Sequence, residues 1–240
     1  MELEISPIPK AIVFQSICQK NGLHLSEEQR SKVSRFVEIL IRWNQEINLI
    51  SRKDEANVWE SHILHSAAIL FMKKIPERAE VLDIGTGGGL PGIVLKILRP
   101  DLSLTLLDST NKKILAVRDM ISKLHLRGIE AEWGRADERG TTQFKGRFDF
   151  VVARAVAALP ELVVWTVPFL KKQKTIDSRI HKNLYLLPPA LIALKGGEIE
   201  SEIAKTKRHR YVREVVVEPL MFEGCEHLGG VDKKIVTVYF

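Results

Sequence analysis

Apolar residues in the first part of the chain recur at helical spacing. Val33, Phe36, Val37, Leu40 and Trp43 fall at intervals of three and four, behind a Ser26–Gln29 pair spaced as a capping box. Asn21-Gly22 ahead of them reads as the end of a first helix from about Ala11 to Lys20. A third helical pattern covers about Glu55 to Met72, so residues 1–75 read as a helical extension. From Val81 the pattern changes to short apolar runs at 81–84, 103–107, 129–133, 148–153, 190–194, 212–217 and 235–239. Helical segments at about 91–99, 111–124 and 159–171 separate the first five, with one short or irregular crossover. Such alternation predicts a mostly parallel sheet covered on both faces. The last two runs are β-branched, with no full helix between them, and predict an antiparallel hairpin at the sheet's edge. The expected fold is α/β and Rossmann-like: seven strands with helices on both faces, occupying residues 76–240 behind the extension.

Composition adds little to that picture. The 240 residues are 45% hydrophobic and 28% charged, ordinary for a globular chain. A formal charge of +6 leaves a polyanionic partner open without requiring one. Cys18 and Cys225 are far apart, which fits a reducing cytoplasm and argues against a disulfide framework or a thiolate metal site. The stretch "MELEISPIPK" has no apolar core and does not read as a signal peptide. The most apolar segment, Ala155 to Leu170, is broken by Pro160, Glu161 and Pro168 and cannot span a bilayer.

The candidate chemistry sits in "VLDIGTGGGLPGIVLKIL", with five glycines in the eight positions from Gly85 to Gly92. A phosphate-binding P-loop needs Lys and Ser or Thr after its last glycine, and Ile93 and Val94 stand there instead. Gly87-x-Gly89-x-x-Gly92 matches the dinucleotide fingerprint, but Gly85 already occupies the turn after the strand. Asp83, Gly85, Gly87 and Gly89 read D-x-G-x-G-x-G, which resembles motif I of class I S-adenosylmethionine-dependent methyltransferases. A pyrophosphate wants bare N–H groups, whereas a sulfonium and an ammonium are favoured by a carboxylate such as Asp83. Pro91 suits the first turn of the following helix. Asp108 closes "LTLLDS", 23 residues after Gly85, where a carboxylate can accept two ribose hydroxyls of either ligand class. A glycine turn without a ligand is the bland alternative.

"WNQEINLISRKD", "HILHS", "DIGTGGGLPGIVLKILRPDLSLTLLDSTNKK", "GRADE", "FDFVVARAVAAL" and "ALKGG" occur in the order of the RsmG (GidB) family. The chain resembles that family from about Trp43 to Gly197. The resemblance implies a bacterial methyltransferase that uses S-adenosylmethionine to modify guanine N7 in 16S ribosomal RNA. It implies cofactor contacts from Gly85 and Leu90 in the glycine loop, and from Ala136 and Asp137 at the adenine. It places Arg154, after the fourth strand, near the reacting methyl as a catalytic and cofactor-contacting residue. Asp83, Gly87, Gly89 and Asp108 complete the expected cofactor set, with no metal. The implied partner is 16S ribosomal RNA or the small ribosomal subunit, with no membrane or DNA partner, for a monomer in the cytoplasm.

Two departures stand out. Many relatives have Asp where this chain has His65. Between Leu170 and Leu191 the chain carries "KKQKTIDSRIHKNLYLLPPA" in place of a short link. Lys171, Lys172, Lys174, Arg179 and Lys182 make that segment either a basic surface loop or an RNA-binding arm, with the loop favoured. His62 and His65, three apart, have no third metal ligand near in sequence and read as helix-surface or interface residues. Trp43 and Trp59 lie on apolar helix faces and read as core, and Arg52 and Lys53 are equally solvated or phosphate-facing. "ARAVA" stands where amine methylases carry an Asn/Asp-Pro-Pro-Tyr/Phe clamp, and no cysteine is placed for carbon-5 methylation. Guanine N7 has a lone pair and no proton, so it needs alignment rather than a base. The rival readings are a nicotinamide-dependent oxidoreductase and a ribosome-binding protein with a vestigial cofactor site.

Overall fold

The computed structural model describes residues 10–137, 144–172, 185–228 and 232–240. Helix α1 spans Lys10–Lys20 and α2 spans Glu27–Glu46, the latter opened by the expected capping box. Ser26 accepts from Gln29 N, and the Gln29 side chain accepts from Ser26 N. The third helical pattern is three pieces: a 3-10 helix (Arg52–Asn57), a π-helical turn (Trp59–Leu64) and α3 (His65–Met72).

Seven strands follow: β1 (Glu80–Ile84), β2 (Ser103–Asp108), β3 (Ile129–Trp133), β4 (Phe150–Arg154), β5 (Ala190–Gly196), β6 (Glu214–Pro219) and β7 (Lys233–Tyr239). Helices α4 (Gly92–Leu98), α5 (Asn111–Lys123), α6 (Leu159–Thr166) and α7 (Glu200–Lys207) lie between them. The sheet order is β3-β2-β1-β4-β5-β7-β6. Strands β1 to β5 are parallel, and β7 is antiparallel to both its neighbours. The final two runs do pair as expected, but β7 lies inside the sheet and β6 takes the edge.

The two faces carry separate clusters. On one, α1, α2, α3, α4 and α5 share a core that joins Phe14, Phe36, Leu40, Ile63, Ile93, Ile114 and Val117 to Val81 and Leu104. Leu159, Leu162 and Val163 of α6 cover the other face with Leu82, Val151 and Val236. Full burial of each large apolar side chain is worth about 1.5–3 kcal/mol. Polar ties set the helix positions: Gln29 donates to Ile97 O and Leu98 O at the end of α4 (2.9 and 3.1 Å). Trp43 Nε1 donates to Asp119 of α5 at 2.8 Å, and both Trp43 and Trp59 pack against the core as expected.

The inserted segment departs from the edge where the parallel strands begin. Phe148 bridges Leu170, and Lys171 Nζ pairs with Asp149 and Glu80, each at 2.9 Å. Lys172 is exposed, while Lys174, Arg179 and Lys182 lie outside the described residues. Among the described residues no helix is long and apolar enough to cross a membrane.

Candidate active site

The chain runs from β1 outward to β2 and β3, then returns to β4 on the other side of β1. That reversal opens a crevice beyond the carboxyl ends of β1 and β4, where ligands of open α/β sheets bind. Asp83, Gly85, Asp108, Ala136, Asp137 and Arg154 all lie on this edge, at or just beyond the ends of β1, β2, β3 and β4.

The glycine loop is shaped by the protein's own packing. Gly85, Gly87 and Gly89 have φ of +67°, +56° and +84°, a region that side chains rarely adopt. A Cβ on Gly85 would meet Val156 Cγ atoms at 2.7 Å, and one on Gly89 would meet Ile93 Cδ1 at 2.4 Å. Only at Gly87 does the surrounding space stay open, with Leu49 O nearest at 3.8 Å. The pattern therefore satisfies a tight turn first, and leaves one glycine where a ligand can approach. Leu90 is buried, so its backbone is the part that can face a ligand.

Asp83 is fully buried. Its Oδ2 accepts from Thr86 Oγ1 at 2.7 Å and Gly92 N at 2.9 Å, bracing the loop against the start of α4. Oδ1 has no hydrogen-bond partner among the described residues. Burial pushes the carboxyl up to about 7, against the opposing pull of Thr86, Gly92 and the Arg154 charge. Asp108 accepts from Gly87 N (2.9 Å) through Oδ2 and from Thr110 N (2.8 Å) through Oδ1. Each oxygen keeps a second lone pair for a ligand hydroxyl. Beyond β3, Arg135 grips the Asp137 carboxylate at 2.7 and 3.0 Å.

Arg154 turns inward from the end of β4, ahead of Ala155 in a left-handed conformation at φ +54°. Such strain in a non-glycine residue is concentrated at functional sites. The guanidinium donates to His62 Nδ1 at 2.9 Å and Ser61 O at 3.3 Å, while its buried Nε has no partner among the described residues. Arginine only donates, so Nδ1 is the acceptor and the ring proton belongs on Nε2, which lies 3.5 Å from Asp54. His62 and His65 are buried rather than on the helix surface, because the face they share turns toward Arg154. Burial, reinforced by the Arg154 charge, pushes both down to about 3, so both are neutral near pH 7. Burial also lowers Arg154, to about 10, leaving it charged.

Sequence reasoning missed the roof of this site. Asn44 is buried, and its Oδ1 accepts from Leu49 N and Ile50 N at 2.8 and 2.9 Å. That clamp holds residues 49–50 over the glycine loop, where a Cβ on Gly88 would meet Leu40 at 2.8 Å and Leu49 at 3.2 Å. The signal was present in "WNQEINLIS", an asparagine within an apolar helix face. Trp133, 62% exposed and held by a hydrogen bond to Ser109 O, was also missed; it stands beside Asp108 in register.

The carboxylate acceptors fit a nucleoside with a cationic end. Asp108 can take the hydroxyls, and the unpartnered Asp83 Oδ1 supplies unspent negative field in the crevice. Among the described residues no group of three His, Cys, Asp or Glu could hold a metal ion.

A family model described as GidB, rRNA small subunit methyltransferase G, matches residues 29–228. A Moorella thermoacetica protein named ribosomal RNA small subunit methyltransferase G is 38% identical over 160 residues, 66% of this chain and 67% of that one. Its namesake from Bacteroides fragilis is 41% identical over 179 residues, 74% of this chain and 80% of that one. Among solved structures, M. jannaschii TYW2 in complex with AdoMet shares the fold with a TM-score of 0.52 at 14% identity, covering 75% of each chain.

Proposed function

The chain belongs to the GidB family of small-subunit rRNA methyltransferases G, and from that membership we propose that it methylates guanine N7 in 16S ribosomal RNA. The donor is S-adenosylmethionine, which supplies an electrophilic methyl on a sulfonium. The observation that carries the site assignment is the convergence of Asp83, Asp108 and Arg154 on the crevice between β1 and β4.

In this reading Asp108 holds the ribose hydroxyls, and Gly85 and the Leu90 backbone line the cofactor's path past Gly87 and Gly89. Asp83 braces the loop and favours the cationic end through its field. Asp137 and the backbone at Ala136 meet the adenine, with Arg135 sharing the carboxylate. Arg154, fixed by His62 and Ser61, holds guanine O6, a phosphate or the cofactor's carboxylate, but leaves N7 free. N7 carries no proton, so no side chain here must accept one. Neutral His62 and His65, pushed down to about 3 by burial, are poor bases near pH 7. The reaction takes place in the cytoplasm, on ribosomal RNA or the small subunit, with the protein as a monomer.

The test is transfer of labelled methyl to small-subunit RNA, followed by mapping of strand cleavage at N7-methylguanine. Label without N7-specific cleavage overturns the choice of atom. Calorimetry with S-adenosylhomocysteine and NAD side by side separates the oxidoreductase reading, which NAD binding alone would favour.

A further inference from the structure

The end of α7 and the turn after it carry "KTKRHRYVR", residues 205–213, with five Lys or Arg, one His and no acid. Lys205, Lys207, Arg208, Arg210 and Tyr211 are exposed. Arg210 lies over the Tyr211 ring at 4.6 Å and donates to its hydroxyl at 2.7 Å, and His209 flanks the same ring at 5.5 Å. Lys205, Lys207, Arg208 and Arg210 have no carboxylate partner among the described residues. Lysines in the last turn also complement the helix dipole, which accounts for Lys205 and Lys207. It does not account for Arg208 and Arg210, which lie past the helix.

The topology fixes where this cluster faces. Arg213 N donates to Tyr239 O at 2.9 Å, and Tyr239 pairs with Ala190, itself paired with Phe150 at the start of β4. Arg154 is at the other end of β4, so that strand alone separates the two edges by about 13 Å. On the cluster's edge, Glu80 and Asp149 share Lys171 and Glu80 also lies near Arg147, which pairs with Glu130, while Glu214 follows Arg213 opposite Tyr239 and leaves the four cations before it unpaired. What remains is unpaired positive charge beside an aromatic ring, the combination that receives phosphates and an unstacked base.

We propose that Lys205, Lys207, Arg208 and Arg210, with Tyr211, form a second contact surface for ribosomal RNA, on the sheet edge opposite the methyl-transfer crevice. It rests on the rRNA reading above and adds that the substrate is gripped at two places, one remote from the target guanine. A short RNA can reach only one of them.

The test is a full-length variant with Lys205→Gln, Lys207→Gln, Arg208→Gln and Arg210→Gln, compared with wild type on small-subunit RNA and on a short RNA carrying the target guanine. The dependence of log affinity on log salt for the large RNA should flatten by about 3, from four lost phosphate contacts. KM for the large RNA should rise tenfold or more, while KM for the short RNA, kcat and S-adenosylhomocysteine affinity stay unchanged. An unaltered salt slope, or equal losses on both RNAs, overturns the proposal. So does weakened binding to the assembled subunit with unaltered binding to naked RNA, which points to a ribosomal protein. If the substitutions reduce thermal stability, Arg208→Gln with Arg210→Gln alone should flatten the slope by about half as much. Wild-type protein that binds large RNA through this surface yet transfers no methyl would refute the enzymatic reading and leave the surface standing.

Discussion

A buried carboxyl pushed up to about 7 couples donor binding to loss of its proton. Without ligand, Asp83 is about one-tenth ionised at pH 6 and about nine-tenths at pH 8. A ligand bringing an ammonium and a sulfonium into the crevice favours the ionised form and so pulls that pKa down. S-adenosylmethionine affinity should therefore rise about tenfold between pH 6 and 8, equivalent to about 1.4 kcal/mol. Binding at pH 7 should release about half a proton. Titration calorimetry in two buffers of different ionisation enthalpy measures both quantities at once. Asp83→Asn is the control, because its carbonyl can still accept from Thr86 and Gly92 while no longer titrating. That variant should bind more weakly at pH 8 and lose the pH dependence. Affinity flat from pH 6 to 8 in wild type, with no proton released, would refute the coupling and leave Asp83 as a loop brace alone.

Three further outcomes follow from the same geometry. Because His62 and His65 are held near 3 in the fold against an ordinary 6.5, their stabilisation is complete above pH 6.5 and lost as pH falls toward 3. Asp83, raised to about 7, works in the opposite sense across pH 4 to 6. One net proton remains, so stability should climb by about 1.4 kcal/mol per pH unit there, and in His62→Asn/His65→Asn, where Asp83 alone is left, chemical denaturation should show the slope reversed to a fall of about the same size. Arg154→Ala should cut turnover without a new pH limb in single-turnover assays, whereas His62→Asn, which keeps an acceptor near Nδ1, should retain more activity than His62→Phe. Gly85→Ala should cost about 2–4 kcal/mol in thermal denaturation, from its positive φ and the Val156 clash, and Val156→Ala should recover only the clash.

Local patterns were legible because their causes are local. The Ser26 capping box, the five strands of the parallel sheet and the Asp83-to-Asp108 spacing each depend on neighbours within one or two elements. Placement of β7 inside the sheet was not legible, since a β-branched run pairs equally well at an edge or an interior position. The α7 helix escaped notice because its short, charged "ESEIAKTK" has little apolar periodicity. Burial of His62 and His65 depends on Arg154, 92 and 89 residues further along, and on a π-helical turn no residue pattern announces. The glycine run resembles a ligand loop, yet at Gly85 and Gly89 the side chains of Val156 and Ile93 already stand where a Cβ would go.

The interior place of β7 has a bearing on how the protein is made. Strand β5 ends at Gly196, 37 residues before β7 begins at Lys233. Until Lys233–Tyr239 arrives, Ala190–Gly196 offers a mostly apolar edge with unsatisfied N–H and C=O groups, a template for another chain to pair with. Translation stalled or terminated before Lys233 thus leaves a sheet that can close only on a neighbour. Such a product should aggregate or be degraded rather than persist as a slightly shortened enzyme.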